Sequence, residues 1–182
     1  HVRSRRQRQM CIRDSLSSGP DGSIFWSETV ELGDQSVTVD LTAPDQDDVS
    51  ADALDIAASL IAGIENVDDV SRRGMLAEVD DRTSEVTEYI LQQQEAYGDE
   101  LEEVLVDVSG DAAVDIIRSL RLMSMTILAD EHGGSEPFAV LEYALDATTT
   151  DDVLLVNLGS DGSVQSVICL LYTSPSPRDA TL

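Results

Sequence analysis

Polar and apolar positions alternate most cleanly between residues 137 and 167, and the rest of the chain is read outward from there. Ala139, Leu141, Tyr143 and Leu145 fall on one side of an extended segment, with Glu142 on the other. Val153–Leu158 is a continuous apolar run, the pattern of a central strand covered on both sides. Gly159-Ser160-Asp161-Gly162 then predicts a turn into a last strand over 163–167. Near the other end, Ile24-Phe25-Trp26 opens a second β region. Val30 and Leu32 flank Glu31, and after Gly33-Asp34 the residues Val37, Val39 and Leu41 alternate with Thr38 and Asp40. Two alternating runs around such a turn predict a hairpin with one buried face.

Between these β regions the period changes to that of helices. Ser50 is placed to cap a first helix, with Asp52 and Asp55 near its positive end and Leu54, Ala57, Ala58, Ile61 and Ile64 as its stripe. A second helix starts near Asn66 and ends at Asp80-Asp81. In it Asp68 and Asp69 precede Arg72 and Arg73 by four residues, which favours intrahelical pairing over an anion site. Thr83 or Ser84 starts a third helix, with Val86, Tyr89, Ile90 and Tyr97 on one face, and Gly98 stops it. Asp99-x-x-Glu102 resembles a capping box for a fourth helix with the stripe Leu101, Val104, Leu105 and Val108. Asp111 opens a short helix through Ala113, Ile116 and Ile117. Residues 119–129 fit a helix or a strand. They are read as a buried strand, with Met123, Met125 and Ile127 on one face and Leu120, Leu122 and Leu128 on the other.

The two ends alter the boundaries. Met10-Cys11-Ile12-Arg13-Asp14 can be encoded by ATG TGT ATA AGA GAC. The reverse complement of that DNA, in a shifted frame, encodes Leu-Leu-Tyr-Thr, the sequence of residues 170–173 that follows Cys169. Residues 1–15 and 169–182 therefore resemble translated sequencing-adapter DNA rather than a basic leader and a Pro-rich tail. They are expected to be disordered, with a single α+β domain over residues 16–168. That segment holds no lysine, five arginines, 34 acidic residues and no cysteine. Disulfides, thiolate nucleophiles and Cys-ligated zinc are thus excluded from it.

The acidity restricts partners. A chain of formal net charge −25 repels phosphates and anionic lipids, so neither nucleic acid nor a membrane surface is expected to bind. No apolar run approaches the ~20 residues of a membrane span, and a cytoplasmic location is expected. High-salt adaptation and an acidic, GC-rich bacterial genome both fit this composition, the second slightly better. Candidate chemistry is sparse. The acids from Asp45 to Asp48 lack the spacing of a calcium loop, and His132 sits beside two glycines in a loop. No phosphate-binding, dinucleotide, nucleophile-elbow or metalloprotease motif occurs, so no catalytic residue, cofactor or metal site is assigned.

With Trp26 before the first hairpin, Leu141-Glu142-Tyr143-Ala144-Leu145, Thr150-Asp151 running into Val153–Leu158, and Asp161-Gly162, the chain resembles a bacterial family of uncharacterised proteins, domain of unknown function number two thousand and four. Leu141 stands where that family favours an aromatic residue. The resemblance implies a mixed α+β fold and supplies no active site. Similar domains among immunity proteins of bacterial toxin systems imply a binding role by analogy.

The expected architecture is an N-terminal β-hairpin, a central run of four to five helices, and C-terminal strands joining the hairpin in one antiparallel sheet. The expected function is a non-enzymatic interaction domain meeting a basic protein. Glu100, Glu102 and Glu103, the densest acid cluster, and Trp26 are the candidate partner-binding residues; read for structure alone, the glutamates are acidic surface at a helix start and Trp26 covers the edge of the core. A carboxylate- or metal-dependent enzyme and a small-molecule pocket near Trp26 are the alternatives.

Overall fold

The structure is a computed structural model that describes residues 12, 14–19, 22–45, 49–129, 137–146 and 152–170. Its strands are β1 (Ser17–Ser18), β2 (Ile24–Leu32), β3 (Gln35–Ala43), β4 (Arg121–Leu128), β5 (Ala139–Ala144), β6 (Val153–Leu158) and β7 (Val164–Leu170). Its helices are α1 (Ala51–Ala62), α2 (Ile64–Glu78), α3 (Glu85–Tyr97), the single turn α4 (Leu101–Val104) and α5 (Ala112–Ser119). The mixed α+β class matches the expectation from periodicity.

All seven strands form one sheet in the order β1-β2-β3-β4-β5-β6-β7. Every neighbouring pair is antiparallel except β3 and β4, which run parallel with Leu41 beside Ile127. The sheet is therefore mixed, which corrects the fully antiparallel expectation. The reason lies in the connection. A chain that leaves the end of β3, travels through the helices and re-enters at the start of β4 returns in the same direction, as a crossover does.

One face of the sheet carries the core. Trp26, Val37, Val39, Leu41, Met125, Ile127, Leu141, Tyr143, Val156 and Leu158 point inward and are buried. Each fully buried aliphatic of this size contributes about 1.5–3 kcal/mol. Thr38, Asp40, Thr126, Glu142 and Asn157 fall on the opposite face, which is more open to solvent.

Strand β4 differs from its expected phase. A register shift between Leu122 and Ser124 makes Met123 an extra residue, so Leu122 and Met125 both face inward. A bulge inserts one residue and reverses the alternation on either side. Helix α2 lies close over β7: a Cβ at Gly74 would meet the Val164 methyls at 3.1 and 3.3 Å. The glycine that costs this helix propensity is what permits the close approach.

The described ends extend past the expected boundaries. Ile12 is wholly buried among core side chains. Strand β7 continues two residues beyond position 168, where Cys169 pairs with Leu154 and donates its amide hydrogen to Glu85 at 3.1 Å. Ladder bonds use the backbone, which any non-proline residue supplies in full, and apolar burial is non-directional.

Candidate functional site

The carboxyl end of α3 and the start of α5 enclose a cleft of about 410 Å³. Tyr97 ends α3, and Gly98, at φ 51°, turns the chain while its amide bonds Gln94. A short 3-10 turn over Gly98–Glu100 leads into α4, which Leu101 anchors against the core. Leu105 is already extended, with ψ 138°. Leu101, Leu105, Val108 and Ala112 supply the apolar part of the lining, and Asp99 and Glu102 supply exposed carboxylates.

The fourth helix is far shorter than its stripe predicts. Position 100, not 99, precedes α4, and no side chain caps it. Instead, side chains of α5 hold residues 105–110 in an irregular segment. Ser119 Oγ accepts the Val106 amide at 2.8 Å, and Asp115 accepts the Ser109 amide at 2.8 Å. The Ser109 hydroxyl donates to the other Asp115 oxygen at 2.6 Å, and the Gly110 amide reaches the carboxylate at 3.3 Å. Asp111 then caps α5 by accepting the Val114 amide. Asp115 is 1% exposed. The Ser109 hydroxyl, with the Ser109 and Gly110 amides, holds its carboxyl below the usual range against the cost of burial. This segment leaves Val106 84% exposed and Val108 53% exposed, instead of the buried stripe expected for Val108.

The candidate residues separate. Glu100, Glu102 and Glu103 are exposed around the short helix, and Glu102 lines the cleft. Trp26 is 5% exposed on the inward face of β2 beside Leu41, so it belongs to the core and takes no part in the cleft. Val106, Ser109, Asp115 and Ser119 were not legible as site residues. Their roles depend on contacts between the 105–110 segment and α5, and only the position of Asp115 near a helix start hints at them.

Helix α5, one wall of the cleft, is tied to α2 by Arg72. Its Nε meets Asp68 at 2.9 Å, while its other nitrogens donate to the carbonyls of Ile117 at 2.9 Å and Leu120 at 2.7 Å. The guanidinium also lies over the Tyr143 ring, 5.5 Å from its centroid, and the Tyr143 hydroxyl donates to Asp68 at 2.9 Å. Arg72 is thus paired as its spacing predicted, and it also closes the carbonyl end of α5. Arg73 bonds the Asp69 carbonyl at 3.2 Å.

A general acid or base at neutral pH calls for a raised carboxyl, whereas that of Asp115 is lowered. Burial, followed by Glu88, Glu85 and Asp152, pushes the Cys169 thiol up to about 12, which disfavours the reactive thiolate. Among the described residues no three His, Cys, Asp or Glu side chains are grouped to hold a metal ion. Residues 46–48, His132 and Thr148–Asp151 lie outside the described residues. No described helix is long and apolar enough to cross a membrane. No protein-family model, curated protein or solved structure matches the chain.

Proposed function

We propose that this chain is a non-enzymatic interaction domain whose 98–115 cleft docks a basic segment of another protein. One observation carries the reading: an open cleft joins an aliphatic lining to carboxylates, and among the described residues no cationic side chain contributes to that lining. A partner segment with lysine or arginine beside aliphatic residues matches both parts. Its apolar groups would cover Leu101, Leu105 and Val108, and its cations would meet Asp99 and Glu102, with Glu100 and Glu103 nearby. Charges of this kind steer encounter and select partners, while the apolar contacts supply more of the affinity. An immunity-like role is a narrower version of the same reading.

The test uses a synthetic amphipathic Lys/Leu peptide, followed by fluorescence anisotropy at about 0.15 M salt, where exposed charges beyond ~8 Å are largely screened. Neutralising Glu100, Glu102 and Glu103 to glutamine is expected to weaken binding about ten-fold, since three rim charges contribute roughly 0.2–1 kcal/mol each. Neutralising three exposed acids elsewhere (Asp52→Asn, Glu65→Gln and Asp69→Asn) removes the same charge and is expected to change little. Equal losses in the two variants would reduce the interaction to net charge and remove the cleft as its site.

A further inference from the structure

We infer that Asp115 is a positioning residue for this cleft, holding residues 105–110 as a preformed wall for the partner; the inference rests on the docking reading above. Asp115 is only 1% exposed within the first turns of α5, where it borders the cleft. Both of its oxygens are occupied, one by the Ser109 hydroxyl and the other by the amides of Ser109 and Gly110. Those bonds arrest the chain just after Val106 and Val108, the two aliphatic side chains that the segment leaves in solvent. Ser119 secures the same segment at its other end through Val106. A six-residue irregular segment fixed at both ends by one helix loses little further entropy when a ligand covers it, and preorganisation of this kind improves affinity without adding a contact.

Ser109 provides a test that leaves the charge and the cleft lining unchanged. Ser109→Ala removes the 2.6 Å hydroxyl bond, Ser109→Thr retains a hydroxyl, and Asp115→Asn replaces one accepting oxygen with a donor. Binding of the Lys/Leu peptide is measured for each on protein shown by circular dichroism to be folded, together with hydrogen exchange at the Ser109 and Gly110 amides. Ser109→Ala and Asp115→Asn are expected to exchange faster at those amides and to bind about five- to ten-fold more weakly, with Ser109→Thr close to the parent. If the parent binds and the faster-exchanging variants bind equally well, the positioning role is overturned and the docking reading stands. If the parent itself does not bind, the docking reading fails and this inference fails with it. Loss of affinity in Ser109→Thr equal to that in Ser109→Ala would also overturn it, because the hydroxyl would then be irrelevant.

Discussion

Arg72 joins three parts of the molecule through one guanidinium. It neutralises Asp68 on its own helix, accommodates the ring of Tyr143 from the sheet, and receives the carbonyl end of α5. The planar fork matters here, because a lysine ammonium cannot reach a carboxylate and two carbonyls in separate directions with fixed geometry. Burial, then the negative charge of Asp68, pushes the Tyr143 hydroxyl well above the usual tyrosine range, so it remains a donor to that carboxylate. Arg72→Ala leaves Asp68 without its cation and the α5 carbonyls without their donor; the expected loss is about 2–4 kcal/mol. Tyr143→Phe removes one bond to a charged group and is expected to cost about 1.5–3 kcal/mol. Arg72→Lys is expected to recover less than half of the Arg72→Ala loss. Urea unfolding midpoints check the series, and a lysine variant as stable as the parent would rule out the fork argument. The i,i+4 spacing revealed the pairing with Asp68. It could not reveal the contacts to Ile117, Leu120 and Tyr143, which are 45 or more residues away in the chain.

At the scale of elements, caps and stripes accounted for the helices wherever the stabilising contacts are local. Ser50 and Ser84 accept the amides of Ala53 and Thr87 as N-caps, and Asp111 does the same for Val114. Local rules failed at α4, where Asp115 and Ser119 draw the chain out of helix, and at β4, where the bulge at Met123 reverses the alternation. Strand β7 provides the prediction at this scale. Residues 169 and 170 add two positions to the ladder with β6, paired with Leu154 and Val153, and Glu85 covers the outward amide of Cys169. A chain ending at Leu170 is expected to exceed one ending at Ile168 by about 1–2 kcal/mol, from the ladder bonds and the half-buried side chains. Identical urea midpoints for the two chains would show that the strand ends in effect at 168.

For the whole molecule, the dominant physical fact is a formal net charge of −25, with arginine as the only Lys/Arg cation. Self-repulsion at this level opposes the compact state, and salt relieves it. Raising sodium chloride from about 0.05 to 1 M shortens the screening length from roughly 14 to 3 Å, so Tm is expected to rise by several degrees. A rise beyond ~10 °C would favour high-salt adaptation, whereas a flat or falling Tm would contradict net repulsion as a significant cost. The mixed sheet also belongs to this scale. Placing β4 beside β3 brings the hairpin and the C-terminal strands into one core, with the helices between them in sequence supplying the crossover.

By itself, the sequence determined the mixed α+β class, both β regions, the starts of the long helices, the inward faces of most strands, and the acidic composition. Each of these follows from residues close together in the chain, through periodicity, capping and charge. Tertiary structure alone decided the parallel join of β3 and β4, the bulge at Met123, the brevity of α4, and the cleft that Asp115 borders. Those features arise where one element's polar groups satisfy the backbone of another. An unpaired buried donor or acceptor costs more than the local preference it overrides, and which groups meet is set only when the elements pack.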